Sequence, residues 1–280
     1  MIVTDKNYFM ETKLLEKLDL MIKRSSGKNK MDNWIVVDGD EGLGKSTMSV
    51  ACAYYVAQKM GRDFDVSKVF FDPDTLIEYG TKTKEQVLIL DESVFGGLSG
   101  DAATKLGKKL IKFSMVIRKK KHFIFLNIPK FFKLNEYLMV DRSVALIHVY
   151  ARGGTQLGRF VYLSDKKKEY LFHAYRKSKK RDYKKYYTFR GSFPNVLGKI
   201  LDEKEYDKKK DDAILAFGSL DEINKGNYRM ECFERLSELN KEKNLGITQK
   251  KIGELFDVTR QTIANYTKKS NLKVKCSGQI

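Results

Sequence analysis

The chain has 280 residues, of which 54 are Lys or Arg and 36 are Asp or Glu, so its formal net charge is +18. A hydrophobic content of 42% with only 3 prolines and 3 cysteines excludes a disordered chain, a collagen-like repeat and a disulfide-stabilised scaffold. The length allows one large domain and one small one, and the charge indicates a polyanionic partner, either nucleic acid or an anionic membrane surface.

The first predicted element is a helix in the N-terminal segment 1–30. Apolar residues recur at helical spacing between Asn7 and Lys23. The apolar run Trp34–Val37 then predicts a strand, and a helix is expected from Gly44 to about Met60. A glycine-rich turn connects these two elements, so this part of the chain is predicted to be strand, turn and helix.

That turn carries the phosphate-binding loop motif G-x-x-x-x-G-K-[ST] between a strand and a helix, which is the context the motif requires. Glycines let successive N–H groups face phosphate oxygens, and the N-terminal end of the next helix favours negative charge. Lys45 is expected to reach the β- and γ-phosphates, and Ser46 to coordinate Mg²⁺. The predicted nucleotide-binding residues are Gly39, Asp40, Glu41, Gly42, Leu43, Gly44, Lys45, Ser46 and Thr47.

Three more apolar runs, at residues 69–71, 87–90 and 123–126, predict strands, and residues 101–117 predict a helix. Asp74 is expected to cap a further helix that ends near Tyr79. Strands that are apolar on both faces and alternate with helices are typical of a parallel sheet covered by helices. The predicted fold class is therefore α/β, a P-loop NTPase core over residues 31–175 with a central, mainly parallel sheet.

The second half of the expected nucleotide site is Asp91-Glu92, directly after the strand at 87–90. An acidic residue at this strand end lies beside the Mg²⁺ of a phosphate-binding loop, and Asp91 fits that role. Glu92 is placed to orient or polarise the attacking water as a general base; the alternative is a surface acid at a strand end. The pair argues against a small GTPase switch and a nucleotide monophosphate kinase, so ATP and Mg²⁺ are the expected ligands.

Asn127 ends the apolar run at 123–126. In an ATPase with a strand inserted between the two strands of the nucleotide site, a polar side chain here senses the γ-phosphate; the alternative is an Asn that caps the turn before Pro129. If protomers pack in a ring, Arg118 is expected to enter a neighbour's site and stabilise the charge of the transferred phosphoryl group. Arg142 is the competing residue for this role.

From Val144 onwards the pattern predicts a meander of strands at residues 144–150, 158–163 and 169–172 that extends the sheet. Residues 176–211 are charge-dense and are predicted to form a basic linker or arm. Between Arg176 and Lys185 the chain has seven basic residues and one acidic residue, with two tyrosines adjacent. Such a stripe suits backbone contacts and stacking on single-stranded nucleic acid, and a solvated linker is an equal alternative.

The C-terminal segment 212–280 is predicted to be a small all-helical domain that contains a helix-turn-helix at residues 247–266. Thr248 and Thr259 are expected to cap its two helices, and Asp257-Val258 to form the turn. A generic pair of amphipathic helices also satisfies much of this pattern. The residues expected to meet base edges or phosphates are Arg260, Gln261, Thr262, Asn265 and Lys268.

The cysteines and histidines indicate no metal or catalytic site. Cys52, Cys232 and Cys276 are far apart and not in C-x-x-C spacing, so a reducing cytoplasm is the expected location. His122, His148 and His173 are scattered over predicted strands, in core or surface positions. The N-terminus lacks a signal-peptide pattern and no apolar stretch is long enough to span a membrane, so no stable membrane insertion is expected.

With these motifs in place, residues 30–175 resemble the additional-strand, catalytic-glutamate P-loop ATPases. The segments Asp91-Glu92, 117–120, 125–129 and 141–143 are similar to those of zonula occludens toxin-like and FtsK/HerA-type ATPases of phages, archaeal viruses and mobile elements. The resemblance implies a multimeric DNA motor, such as a genome-packaging or conjugative translocase. Position 127 is often Gln in that group. Many filamentous-phage members have a transmembrane helix after the core that this sequence lacks, which argues against an envelope-anchored role.

Two functions follow from these predictions. The first is an ATP-hydrolysing DNA motor that works as a homo-oligomeric ring and translocates, packages or remodels viral or mobile-element DNA. The alternative is a site-specific DNA-binding replication or regulatory factor, similar to a helicase loader, in which ATP acts as a switch. A third possibility, an ATPase on an anionic membrane surface, conflicts with the predicted helix-turn-helix.

Overall fold

The computed structural model describes residues 2–3, 8–26, 31–91, 100–133 and 135–216, together with 235–236, 248 and 251. The chain divides into two units, residues 1–214 and 215–280. The strands are β1 (Ile2–Val3), β2 (Phe9–Met10), β3 (Asn33–Asp38), β4 (Val69–Phe70), β5 (Val87–Asp91), β6 (Phe123–Ile128), β7 (Ala145–Arg152), β8 (Gln156–Ser164) and β9 (Phe189–Ser192).

Helices alternate with the strands of the sheet. They are α1 (Thr12–Ser26), α2 (Lys45–Met60), α3 (Pro73–Lys82), α4 (Gly100–Val116), α5 (Asp165–Ser178), α6 (Tyr183–Tyr186), α7 (Leu197–Ile200) and α8 (residues 203–216). Short 3-10 turns span Val66–Lys68, Ile117–Lys120 and Phe131–Lys133, and a π-helix spans Tyr137–Arg142.

Seven strands form one sheet in the order β4-β5-β6-β3-β7-β8-β9. The strands from β4 to β7 run parallel, and β8 and β9 add antiparallel strands at one edge. Strand β6 lies between β3, which precedes the phosphate-binding loop, and β5, which carries Asp91. The mainly parallel sheet and the inserted strand confirm the fold class predicted from the sequence.

The parallel strands are buried on both faces, which explains why apolar residues fill most of their positions. On β3, Ile35 and Val37 belong to a core shared with α1 and α2, whereas Trp34 and Val36 belong to a second core shared with α3, α4 and α5. The sheet is thus covered by helices on both faces. The carboxyl ends of its parallel strands meet at one edge, where the phosphate-binding loop begins.

Two local predictions were wrong. The helix that begins at Pro73 is capped by Asp72, whose side chain accepts a hydrogen bond from the backbone N–H of Thr75 (2.9 Å), and not by Asp74. Residues 169–172, predicted as a strand, lie inside α5. Lys168, Leu171 and Phe172 are its buried residues, and their spacing of three and four is helical.

The segment 176–211, expected to be a linker, is structured and packs on the core. Strand β9 pairs with β8, and the Phe189 ring stacks on Tyr162 with centroids 4.8 Å apart. Farther along, Val196, Leu201 and Tyr206 are buried. Because these apolar residues are sparse among many charges, composition alone suggested a solvated arm.

No helix in the described ranges is both long and apolar enough to cross a membrane. The cap predicted at Thr248 also has a described contact, because its Oγ1 accepts a hydrogen bond from the backbone N–H of Lys251 (3.4 Å). The remainder of the predicted helix-turn-helix lies outside the described residues.

Candidate nucleotide site

The predicted phosphate-binding loop joins β3 to α2 at the carboxyl edge of the parallel strands. Gly39 has a φ of 150°, and a Cβ there would lie 2.4 Å from the carbonyl oxygen of Val149, so a larger residue does not fit without movement of the backbone. Gly44 has a φ of 94° and is the N-cap of α2. The first N–H groups of a helix lack intrahelical partners and bind anions. The loop therefore has the backbone geometry of an anion-binding site.

Lys45 is the first residue of α2, and its side chain turns back over the loop. Its Nζ donates hydrogen bonds to the carbonyl oxygens of Gly39 (2.9 Å) and Asp40 (3.0 Å). These contacts place the ammonium group over the concave side of the loop, where phosphate oxygens would lie. An ammonium group is a point charge suited to phosphate binding.

A cavity of about 560 Å³ opens beside this loop. Its lining residues are Glu41, Gly42, Gly44, Lys45, Ser46, Thr47, Asp91, Pro129, Leu197, Tyr206, Asp207 and Lys210. The cavity thus brings together the loop and Asp91, the two parts of the nucleotide site expected from the sequence. It also contains three residues of α8, which the sequence analysis had not assigned to the site.

The donor set fits Mg²⁺. Asp91 ends β5 and is only 6% exposed, and Ser46 lies in the first turn of α2 beside the same cavity. A carboxylate and a hydroxyl are hard oxygen ligands, and Mg²⁺ is commonly held by one or two such groups together with substrate phosphates and water. These two residues can therefore hold the metal at the phosphate end of a nucleotide.

Tyr206 of α8 contacts Asp91 and lines the same cavity as Ser46. Its hydroxyl donates a hydrogen bond to Oδ2 of Asp91 (2.5 Å). The side chain is 3% exposed. Burial and the Asp91 charge raise the pKa of this phenol, so it stays protonated and neutral at all physiological pH values.

Asn127 lies on β6 opposite Asp91 of β5 and Val37 of β3. It is fully buried, and its Oδ1 accepts a hydrogen bond from the hydroxyl of Ser49 in α2. Its Nδ2 has no hydrogen-bond partner in the described part of the chain. Asn127 is thus an integral strand residue and not a cap of the turn before Pro129. It lies beneath α2 and is absent from the cavity lining.

The last residue of β3, Asp38, is buried at the base of the loop and forms the centre of a polar cluster. His148 Nδ1 lies 3.0 Å from its Oδ1, and the hydroxyl of Tyr183 donates to its Oδ2. The rings of His148 and Tyr183 stack with centroids 3.6 Å apart. Burial, followed by the Asp38 charge, raises the pKa of the Tyr183 phenol. The residue before Gly39 is therefore tied directly to the basic segment that contains Tyr183.

The two arginines proposed to act in a neighbouring site have different surroundings. Arg142 is 7% exposed and forms an ion pair with Asp32, and its Nε donates to the carbonyl oxygen of Ser114 (3.0 Å). It is thus part of the core, which argues against the competing assignment. Arg118 is exposed in the turn before β6, at the amino ends of the parallel strands and opposite to the phosphate-binding loop. Within one chain it is remote from the cavity.

The predicted general base Glu92 follows Asp91 directly but lies outside the described residues. The same is true of the predicted DNA-contacting residues Arg260, Gln261, Thr262, Asn265 and Lys268. Their roles stay predictions.

The histidines occupy core or surface positions, but of the three only His148 lies on a strand. His122 is buried, accepts a hydrogen bond from the backbone N–H of Gln86 (3.0 Å) and contacts the carbonyl oxygen of Gly80 (2.9 Å). His173 lies on α5 and not on a strand. Within the described ranges no group of three His, Cys, Asp or Glu side chains could hold a metal ion.

The strand order, the loop and the acidic strand end together define the fold. The chain has the P-loop NTPase fold. Part of this chain is similar to two solved structures. One is a KaiC-like protein from Pyrococcus horikoshii, with a TM-score of 0.33 and 14% identity over 49% of this chain and 78% of its own. A second is the DnaC helicase loader, with a TM-score of 0.28 and 19% identity over 49% of this chain and 84% of its own. No family model and no curated protein matches the sequence.

Sequence reasoning missed Asp38, Tyr183 and Tyr206. Asp38 had a local signal, since an acidic residue ends an otherwise apolar strand just before Gly39. The two tyrosines had none, because Tyr183 is 145 residues and Tyr206 is 115 residues from the carboxylate it contacts. Only the fold brings them together.

Proposed function

We propose that this protein is a Mg²⁺-dependent ATPase that uses hydrolysis to move, package or remodel DNA. One observation carries the nucleotide part of the proposal: the phosphate-binding loop, Lys45, Ser46 and Asp91 converge on one cavity at the carboxyl edge of the parallel strands. Ligands of open α/β sheets bind at this edge.

In this proposal Lys45 and the N–H groups of the loop bind the β- and γ-phosphates, and Ser46 and Asp91 hold Mg²⁺. The metal, when bound, neutralises charge that develops on the phosphate oxygens. Glu92, next to Asp91 in the chain, takes a proton from the attacking water. Asn127 contacts Ser49 one turn after Ser46 and responds to movement of that turn through this hydrogen bond.

The basic segment Arg176–Lys185 supports DNA as the partner. Its seven basic side chains are exposed, and the segment is held on the core by Tyr183 and by stacking of the Tyr175 and Phe132 rings, with centroids 4.0 Å apart. Rigidly placed Lys and Arg residues bind phosphate backbones independently of sequence. Because Tyr183 contacts Asp38 at the base of the loop, DNA bound here is connected to the nucleotide site by a single side chain.

Nucleotide binding is tested with a fluorescent ATP analogue in the parent, Lys45→Ala and Lys59→Ala. Lys59 is the matched control because it is an exposed lysine in the last turn of the same helix. We expect Lys45→Ala to weaken binding about ten- to hundredfold, the equivalent of a charge-assisted hydrogen bond, and Lys59→Ala to bind like the parent. Equal binding by all three proteins would contradict the site.

DNA contact is tested with the double variant Lys177→Gln, Lys180→Gln. The control is the double variant Lys166→Gln, Lys167→Gln, which removes the same number of positive charges at the opposite end of α5. All four lysines are exposed. We expect the first pair to weaken DNA binding and to lower the slope of log Kd against log salt by about 2. A slope that changes equally in both pairs would place the DNA elsewhere.

Tyr183→Phe tests whether this contact is connected to catalysis. The substitution keeps the aromatic ring that stacks on His148 and removes the hydrogen bond to Asp38. DNA affinity should stay at the parent level while the stimulation of ATP hydrolysis by DNA falls. Unchanged stimulation would show that Asp38 is only a structural acid.

The proposal has two further parts. The subunits form a ring in which Arg118 acts on the neighbour's nucleotide, and the predicted helix-turn-helix recognises the DNA site. The alternative, an ATP-switched DNA-binding factor similar to a helicase loader, is favoured by one observation, namely that the Tyr206 hydroxyl is hydrogen-bonded to Asp91, a proposed metal ligand. Multiple turnovers that rise with DNA support the motor. A single turnover followed by a long-lived DNA complex supports the switch.

A further inference from the structure

The hydroxyl of Tyr206 contacts one of the two side chains proposed to hold the metal. A phenol has one proton, which Tyr206 donates to Oδ2 of Asp91 (2.5 Å). Ser46 lines the same cavity as Tyr206 and Asp91. The phenol thus connects a helix outside the phosphate-binding loop to a proposed magnesium ligand.

Tyr206 is supported by contacts of its own ring and of the next turn of its helix. Its ring packs edge-on against Phe71, with centroids 5.4 Å apart and planes at 69°. One turn later, Lys209 Nζ donates to the carbonyl oxygens of Val66 (3.0 Å) and Val69 (2.6 Å), beside β4. The hydroxyl is therefore part of a packed, buried side chain and not of a surface group.

Magnesium and the Tyr206 hydroxyl would compete for the Asp91 carboxylate. Mg²⁺ prefers short oxygen contacts of about 2.0–2.1 Å and keeps several of its waters. The Asp91 oxygen that accepts the phenol proton at 2.5 Å would have to give up this hydrogen bond in order to bind the cation or one of its waters.

We propose that Tyr206 positions Asp91 in the metal-free site and releases it when Mg²⁺ binds together with the nucleotide, so that the state of α8 depends on whether the site is occupied. This inference rests on the proposed function. Asp207 and Lys210 of α8 line the same cavity, so release of Tyr206 also changes the wall that faces the nucleotide. The helix continues to residue 216, so the movement reaches the chain that leads to the C-terminal segment.

The first experiment measures binding of a fluorescent, non-hydrolysable ATP analogue as a function of Mg²⁺ concentration in the parent, Tyr206→Phe and Tyr55→Phe. Tyr55 is the matched control because its hydroxyl also donates to an aspartate, Asp19 (2.8 Å), at a distance from the cavity. We expect Tyr206→Phe to reach half-saturation at about tenfold lower Mg²⁺, since the competing hydrogen bond is gone. Tyr55→Phe should follow the parent curve.

The second experiment needs no variant. Backbone amide hydrogen exchange of residues 203–216 is compared in the parent chain with nucleotide plus EDTA and with nucleotide plus Mg²⁺. Exchange should be faster with Mg²⁺ by about fivefold or more, because the helix loses the contact of Tyr206.

The outcomes separate the two proposals. A parent that binds no nucleotide contradicts the proposed function and this inference with it. Two results would overturn only the role of Tyr206 while nucleotide binding stands. One is a parent with the same Mg²⁺ dependence as Tyr206→Phe, and the other is slower amide hydrogen exchange of residues 203–216 when Mg²⁺ is added.

Discussion

Substitution of Arg142 distinguishes a structural role of this arginine from a catalytic one. Its ion pair with Asp32 has side chains only 6% and 2% exposed, and its guanidinium also lies 5.7 Å from the Trp34 ring. Removing one partner of a buried ion pair leaves an uncompensated charge and costs about 3–5 kcal/mol. We therefore expect Arg142→Met to lose a large part of a total stability of about 5–15 kcal/mol.

The assay is urea unfolding followed by circular dichroism and by the fluorescence of Trp34, the only tryptophan of the chain. With a slope of about 2–3 kcal/mol per molar urea, the midpoint should fall by about 1–2 M. Arg118→Gln is the control and should change stability by less than about 0.5 kcal/mol, since Arg118 is exposed. If Arg142→Met unfolded at the parent's urea concentration but lost ATPase activity, the structural assignment would be refuted.

Two further predictions concern the loop and a buried histidine. Gly39→Ala should weaken nucleotide binding and lower the free energy of unfolding by about 1–3 kcal/mol, because the added methyl group meets the Val149 carbonyl. Gly153→Ala is the control: its added methyl group meets no atom within 4 Å, so this variant should retain the parent's nucleotide affinity in the same titration. Burial lowers the pKa of His122 below its ordinary value of 6.5, so the unfolded chain binds the proton before the folded chain does. Stability measured by thermal unfolding should therefore fall as pH drops through about 6.5, and His122→Gln should flatten this dependence; an unchanged slope would mean that His122 is not responsible.

The parallel core could be predicted because its physics is local. Runs such as 87–90 and 123–126 are apolar at every position since both faces are buried, and the glycine spacing of the loop follows from the backbone geometry it needs. The insertion of β6 between β3 and β5 agrees with the inserted strand expected from the sequence, whereas the γ-phosphate-sensing role of Asn127 stays a prediction.

The errors arose where short patterns are ambiguous or contacts are distant. Residues 169–172 are apolar enough for a strand, and only the helical spacing from Lys168 to Phe172 reveals α5. Residues 176–211 were expected to form a linker because charged residues dominate their composition. Their folded structure instead depends on contacts of Tyr183, Phe189 and Tyr206 with the core. The partners of these residues lie far away in sequence, so no local rule identifies them.

The central claim is that this P-loop fold hydrolyses ATP in response to DNA. The most direct measurement is the steady-state ATPase rate with and without DNA for the parent and for Glu92→Gln. The parent should hydrolyse ATP faster with DNA, and Glu92→Gln should bind ATP normally but turn it over at least about a hundredfold more slowly in both conditions. A parent rate that is the same with and without DNA, or a Glu92→Gln protein as active as the parent, would contradict the account.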